Sequence, residues 1–250
     1  MITKRQLFGK RLFDLFLALI LFPLFIIPLI ILVVMTTIDT MEFGIFTQLR
    51  VGQHGKLFKI FKLRTLKQEK HVLGHLNKSA TRLGRFLRHS KIDELPQIFN
   101  VLIGDMSFVG PRPDIQGFAD ELVGKDRIIL KVKPGITGPA TLKYRNEEEI
   151  LSTQIDAENY NRTIIWVDKV KINKNYVQNY SFYLDLTFIL KSTLNKEEKV
   201  GVNIQILSPN NEVVGNSSEE ILLRDTSKVN LNLVLKNPQL WDLETPNLYI

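Results

Sequence analysis

The sequence predicts a mainly helical α+β, membrane-associated chain that ends in a β-rich appendage, a partial sandwich. Three observations carry this. Leu15 to Ile38 is a run of 24 residues without a charge. Residues 39–195 combine helical apolar spacing with turns rich in Gly and Pro. Residues 196–250 alternate apolar and polar side chains. Charge follows the same division: 28 basic against 18 acidic residues in 1–195 (+10), and 5 against 8 in 196–250 (−3). The basic excess therefore lies with the apolar segment, where anionic headgroups or phosphate substrates can use it.

Composition narrows the classes. A chain of 250 residues suits one or two domains. With 44% hydrophobic and 24% charged residues it is not a disordered chain. The absence of cysteine excludes a disulfide scaffold, a thiolate zinc site and a cysteine nucleophile.

Residues 1–14 form a basic flank, and Lys4, Arg5, Lys10 and Arg11 favour a cytoplasmic N-terminus. Residues 15–38 exceed the roughly 18 apolar residues that suggest a bilayer helix. The run is too long for a signal peptide, and no small-x-small cleavage site follows it. Pro23 and Pro28 each remove a backbone donor and predict a kink. A spanning helix would put residue 39 onward outside the cell; a helix that dips in, bends and returns keeps both ends on one face. The apolar run alone favours spanning.

Beyond the membrane segment, Phe58, Ile60 and Leu63 predict a short strand after a turn at Gly52 and Gly55. Arg50, Lys56, Lys59, Lys62 and Arg64 make this stretch either a solvated basic face or a phosphate-recognition surface. In residues 81–114, Ser90 or Asp93 is expected to cap a helix that starts near Glu94, with Pro96 in its first turn. Leu95, Ile98, Phe99 and Leu102 fall at helical spacing and should face a core. Asp93 and Glu94 read as an N-cap and a dipole-favoured carboxylate. Alternatively they border one cleft, where one carboxylate attacks and the other holds a metal ion. Pro111 and Pro113 stiffen the presentation of Arg112, which suits bidentate phosphate binding. A second turn, KPGITG at 133–138, leads into LKYRNEEE, which contributes Arg145. Residues 176–194 predict a helix with Tyr176, Tyr180, Phe182, Tyr183 and Phe188, either interfacial or in the core. Val200 to Ile206 and Val229 to Leu235 alternate as half-buried strands, with a turn at 208–212.

Several blocks together resemble one family. KRLFD at 10–14, FTQLRVGQHGKLFKIFKLRTL at 46–66, the stretch from Arg88 to Asp114, KPGITGPATLKYRN at 133–146 and NYSFYLDLTFILKSTL at 179–194 are similar to the bacterial sugar transferases, the monotopic phosphoglycosyl transferases. The resemblance covers about residues 8–195. It implies transfer of a sugar-1-phosphate from a UDP-sugar to polyprenyl (undecaprenyl) phosphate with release of UMP. That reaction initiates a lipid-linked glycan such as an exopolysaccharide, capsule, O-antigen or glycoprotein glycan. By the resemblance Asp93 is the nucleophile and Glu94 its Mg²⁺-binding partner. Arg88 and Arg112 match basic positions around the phosphate site, and Lys59, Lys62, Arg64 and Arg145 are further phosphate- or substrate-binding candidates. The apolar segment becomes a re-entrant helix at the bacterial inner membrane. Residues 39–195 then form a catalytic domain facing the cytoplasm, and a homodimer is allowed. The chain departs from the family where a Ser-Pro pair usually breaks the helix: the candidates here are Phe22-Pro23 and Ile27-Pro28. Pro139-Ala140-Thr141 also replaces the usual Trp-Ala-Gln, which touches the sugar contacts rather than the chemistry.

The closing stretch LKNPQLWDLETPNLYI resembles part of the β-sandwich domain of family 2 glycoside hydrolases, over about residues 198–250. The catalytic barrel of those enzymes is missing, so no glycosidase activity is expected. A fusion or truncation junction is expected near Asn195 to Lys199, with a small accessory β domain as the alternative. A non-catalytic relative that binds lipid or a partner is a rival to the enzyme, but Asp93, Glu94 and Arg112 are all present. A nucleic-acid partner is not expected, because the basic residues sit on no recognised groove- or strand-binding module.

Overall fold

The computed structural model describes residues 2–67, 79–193, 198–207 and 213–223. The chain divides into two compact units, Met1–Thr193 and Leu194–Ile250. The described part of the first unit is mostly helical, with two small sheets.

Helix α1 (Lys4–Thr40) begins with a capping box: Thr3 accepts from the Gln6 amide while Gln6 accepts from the Thr3 amide. It continues as helix through both prolines. Phe8, Leu12, Phe16, Leu24, Ile27 and Ile38 on it are exposed, as expected of a surface that meets lipid rather than water. A narrow buried stripe runs along the same helix: Lys10, Asp14, Ala18, Leu29 and Thr36.

That stripe is charged at its start for identifiable reasons. Lys10 Nζ pairs with Asp185 at 2.5 Å, and the hydroxyls of Tyr176 and Tyr180 donate to the same carboxylate at 2.6 and 3.1 Å. Arg11 donates to the carbonyls of Val101 and Leu102, the last turn of a helix described below. Asp14 accepts from the Phe108 amide at 3.1 Å. Every charge in the KRLFD block is thus consumed by docking α1 onto the domain. Further along, Ala18, Leu21 and Phe22 enter a cluster with Phe58, Ile60, Ile98, Val101 and Met106. Leu29, Leu32 and Val33 enter another with Leu63 and Leu87.

Strands β1 (Ile45–Val51) and β2 (Leu57–Leu63) form an antiparallel hairpin in the register Ile45↔Leu63 to Val51↔Leu57. Its bend uses Gly55 at φ +81°, a conformation open to glycine. Strand β2 is the one expected from Phe58, Ile60 and Leu63; its partner β1 is additional to the sequence reading. The Asn100 side chain accepts from the Phe61 amide at 3.0 Å and donates to the Lys59 carbonyl at 2.8 Å, so it ties β2 to the helix that carries it.

Helix α2 (Arg82–His89) is capped by Thr81, whose hydroxyl accepts from the Gly84 amide at 2.8 Å. Here the structure corrects the sequence reading. Ser90 ends α2 instead of starting a helix, and its hydroxyl donates to the Phe86 carbonyl. Asp93 is not an N-cap. Lys91 turns left-handed at φ 59°, and Ile92–Glu94 form a 3₁₀ turn. Helix α3 (Gln97–Ile103) starts after Pro96, which occupies its N-cap. Proline has no amide hydrogen and cannot continue an α-helical ladder from upstream, so the acidic pair stays in the tighter turn.

Strands β3 (Ser107–Val109) and β4 (Gly135–Thr137) pair in parallel. Around them α4 (Pro139–Lys143), α5 (Glu147–Ser152) and α6 (Ala157–Tyr160) lead through a π turn into α7 (Trp166–Gln178). Helix α8 (Phe182–Thr193) closes the unit. The single helix expected over 176–194 is therefore two, broken before Phe182, where the Ser181 hydroxyl accepts from the Leu184 amide. Its aromatics divide as well. Tyr176, Tyr180 and Phe188 pack in the core, while Phe182 and Tyr183 are exposed.

The described part of the second unit is a hairpin of β5 (Glu198–Leu207) and β6 (Val213–Leu223), antiparallel with an irregularity at Ile206/Leu207. The strand expected at 200–206 lies in β5, and β6 was not foreseen. The expected turn at 208–212, the strand at 229–235 and the closing stretch 235–250 lie outside the described residues.

Candidate active site

The 3₁₀ turn presents two carboxylates that are almost fully enclosed, Asp93 at 6% and Glu94 at 7% exposure. Their surroundings differ. Arg112 grips Glu94 with both terminal nitrogens, at 2.5 Å to Oε1 and 3.4 Å to Oε2. Lys62 donates to Oε1 at 2.8 Å. Burial alone would raise the Glu94 carboxyl, but Arg112 and then Lys62 outweigh it and hold the group well below the usual carboxylate range. Burial pushes the Lys62 ammonium down despite the Glu94 charge beside it, while Glu94 pushes Arg112 further up. Asp93 has no such clamp. Its Oδ1 is buried without a hydrogen-bond partner. Burial raises its carboxyl, and the charges of Lys62 and Arg88 only partly offset that. One carboxylate is locked and ionised; its neighbour is unpaired and more basic.

The frame is rigid. Arg112 sits in the Gly110-Pro111-Arg112-Pro113 loop, which the β3–β4 pair holds from both sides. The Gly110 amide donates to the Thr137 carbonyl at 2.9 Å, and the Gly135 amide donates to the Pro111 carbonyl at 2.9 Å. Gly110, Gly135 and Gly138 pass so close that a Cβ on any of them would overlap backbone atoms of this cluster. Lys62 reaches the site from β2, and the Asn100 brace fixes that strand.

The other candidate residues divide. Arg88, at the end of α2, pairs with Glu148 at 2.7 Å and adds positive potential at Asp93. Lys59 is exposed and alternates with Lys62 along β2, so it points to the opposite face. Arg64 pairs with Glu42 at 2.8 Å and donates to the Phe43 carbonyl. Arg145 follows α4 in the turn before α5. Two further residues join the site: Arg50, part of the basic stretch read as a solvated face or a phosphate-recognition surface, and Gln97, which the sequence reading did not name. Both line a small cavity with Lys62 and Arg112. Behind them Asp114 is pushed up to about 6 by burial, which the charges of Lys169 and Arg50 only partly counter.

Among the described residues no group of three or more His, Cys, Asp or Glu stands together as a ready metal cage. The open carboxylate oxygens fit a cation that needs few protein ligands. Mg²⁺ usually takes only one or two protein carboxylates. Asp93 Oδ1 is unpartnered, and Glu94 Oε2 has a single long contact.

Residues 5–197 match the family described as bacterial sugar transferase. Residues 165–250 match glycosyl hydrolases family 2. That second match starts upstream of residue 198, inside the helical unit, where α7 and α8 stand rather than a sandwich. The chain is 40% identical over 185 residues to the uncharacterized sugar transferase EpsL of Bacillus subtilis, covering 72% of this chain and 83% of that protein. It is 34% identical over 202 residues to a UDP-glucose:undecaprenyl-phosphate glucose-1-phosphate transferase of Klebsiella pneumoniae, covering 75% and 40%. It is 31% identical over 193 residues to a UDP-N-acetylgalactosamine-undecaprenyl-phosphate N-acetylgalactosaminephosphotransferase of Aeromonas hydrophila, covering 74% and 43%. The chain thus spans less than half the length of these last two relatives. An acidic pair enclosed by Arg112 and Lys62, on a domain docked along an apolar helix, is what this match covers, and the chain belongs to the bacterial sugar transferase family.

Proposed function

We propose that this enzyme moves a sugar-1-phosphate from a UDP-sugar to polyprenyl phosphate in two displacements through Asp93. The observation that carries the reading is the unequal pair: Asp93 unpaired and buried, Glu94 locked by Arg112 and Lys62. An Asp93 oxygen attacks the sugar-bearing phosphorus; its new P–O bond forms as the bond to UMP breaks. A phosphate oxygen of the lipid then attacks the same phosphorus. The bond to Asp93 breaks, and the products are UMP and a polyprenyl diphosphosugar. No water or net proton is needed. Burial keeps the Asp93 carboxylate poorly solvated and hence more nucleophilic than an exposed one. Arg112, Lys62 and Arg88 offset the charge that gathers on the phosphoryl oxygens. Mg²⁺ held by Glu94 would supply further neutralisation of the diphosphate when bound.

The same reading makes α1 a re-entrant helix on the cytoplasmic face of the bacterial inner membrane, and the reaction the first step of a lipid-linked glycan. Side chains on both sides of the prolines support it. Lys10, Asp14 and Ala18 before them, and Leu29, Leu32 and Val33 after them, all dock on elements of the one unit. A helix that carried its two ends to opposite faces could not lay both halves on a domain in water.

The test is UMP release from a panel of UDP-sugars, with undecaprenyl phosphate, Mg²⁺ and detergent-solubilised chain. Omitting the lipid phosphate should trap a phosphosugar on the protein, visible as added mass on the intact chain. Asp93→Asn should abolish both signals. Turnover by a well-folded Asp93→Asn chain would remove Asp93 from the chemistry.

A further inference from the structure

Lys62 and Arg112, the two cations on Glu94, also line a cavity together with Arg50, Ile60, Gln97 and Pro113. Its volume is about 10 Å³, room for roughly one water-sized atom. Three of the six lining side chains are cations, one is an amide, and none is a carboxylate. Two donors here are unspent. Gln97 is 1% exposed, and its Nε2 has no hydrogen-bond partner among the described residues. Arg50 spends its terminal nitrogens on the Pro113 carbonyl at 3.4 Å and on Gln48 Oε1 at 2.7 Å, while its Nε is buried and unpaired. A buried donor left without an acceptor is costly, and two at one cavity call for an explanation. Of the two carboxylates whose charge acts on Arg50, Asp114 and Glu94, neither lines the cavity, and Glu94 is already taken by Arg112 and Lys62.

We propose that this cavity seats one non-bridging oxygen of a substrate phosphoryl group, with Gln97 Nε2 and Arg50 Nε as its donors. An anionic oxygen accepts several hydrogen bonds and gives none, which suits a lining rich in donors. A water molecule would also have to donate its two hydrogens. The arrangement adds to the phosphoryl-transfer reading of the site and rests on it. It also divides the labour: Arg112 and Lys62 direct their hydrogen bonds to Glu94 and offset phosphoryl charge through space, while Arg50 Nε and Gln97 Nε2 remain open to a substrate oxygen. Repulsion between Arg50 and Arg112, which adds to burial in lowering Arg50, would be relieved by the incoming anion.

The experiment uses the full chain in detergent and the variants Gln97→Met and Gln97→Glu, each checked by its melting curve. UDP binding is measured by calorimetry. Turnover is measured with the accepted UDP-sugar and with both diastereomers of its β-phosphorothioate, in which sulfur replaces one oxygen on the sugar-bearing phosphorus. Loss of a hydrogen bond to a charged group should weaken UDP binding or kcat/KM about 10- to 100-fold in Gln97→Met. Gln97→Glu, which keeps the shape and adds repulsion, should be weaker still. Wild type should discriminate between the two thio diastereomers, because sulfur is too large for a one-oxygen cavity, and Gln97→Met should discriminate less. UDP binding and thio discrimination that do not change in Gln97→Met would overturn the assignment and leave a structural water as the occupant. If wild type turns over no donor, yet UDP binding falls in both variants, the transfer reading fails and the oxygen site stands. If UDP binding is also indifferent to Gln97, both fall.

Discussion

Arg112 and Glu94, 18 residues apart, form a two-pronged ion pair in which the side chain of Glu94 is only 8% exposed. The geometry depends on the planar fork of the guanidinium, which an ammonium cannot copy. Arg112→Lys keeps the charge and loses the second contact. UMP release should fall about 10- to 100-fold, as expected for a charged hydrogen bond removed. Kinetics that match wild type would show that charge alone suffices.

The Asp114 carboxyl gives stability a specific pH signature. Its pKa is raised from 3.8 to about 6 in the fold. A group raised on folding contributes stability below its unfolded pKa and loses it as pH rises through the folded value. Between pH 4 and pH 6.5 this one group should therefore cost about 2 kcal/mol on the way up; the carboxyl keeps part of its surface in water, so the full shift is not realised. Glu94, lowered by Arg112 and Lys62, acts with the opposite sign and loses its contribution only as pH falls below the ordinary carboxylate range. Subtracting the urea-unfolding profile of Asp114→Asn from that of wild type should isolate the first effect. A flat difference across this window would refute it.

Lys10 and Asp185 are 5% and 1% exposed at their side chains. Removing one member of such a pair leaves a buried charge, at a typical cost of about 3–5 kcal/mol. Lys10→Met should reach that range, although Tyr176 and Tyr180 still donate to Asp185. Lys10→Met with Asp185→Leu should recover much of the loss. If the double variant is no more stable than the single one, the two tyrosines are the larger part of the interaction.

At Gly110 an added Cβ would overlap the Lys133 carbonyl and the Gly135 amide, so the β3–β4 pair must spread. That pair carries the Arg112 loop. Gly110→Ala should lower kcat/KM by more than its change in melting temperature accounts for at the assay temperature. Equal stability and activity would mean that the loop relaxes without moving Arg112.

The chain displays its chemistry more openly than its geometry. Asp93, Glu94 and Arg112 stand out in the sequence, and the helix through the apolar run is written in its composition. The capping role given to Asp93 was wrong because Pro96, correctly placed near a helix start, also keeps the helix from reaching back to the pair. Strand β1 was legible too: Ile45, Thr47, Leu49 and Val51 alternate with Phe46, Gln48 and Arg50, a period-two pattern masked only by the basic run that begins at Arg50. Strand β6 contains Gly-Asn-Ser-Ser-Glu-Glu, which has no alternation to find. Gln97 gave no signal. A glutamine in the first turn of a helix reads as surface, and only the packing of β2 against α3 shows it enclosed.

The lysine at position 10 also sets an order of assembly. Its partner is 175 residues away, in the last helix of the first unit. The apolar helix is therefore synthesised long before the carboxylate that completes its dock exists. A ribosome adding roughly 5–20 residues each second leaves it waiting about ten seconds or longer. Lipid is the natural place to wait. The helix would enter the bilayer first, and the domain would then close around its buried stripe, with the Lys10–Asp185 contact among the last to form.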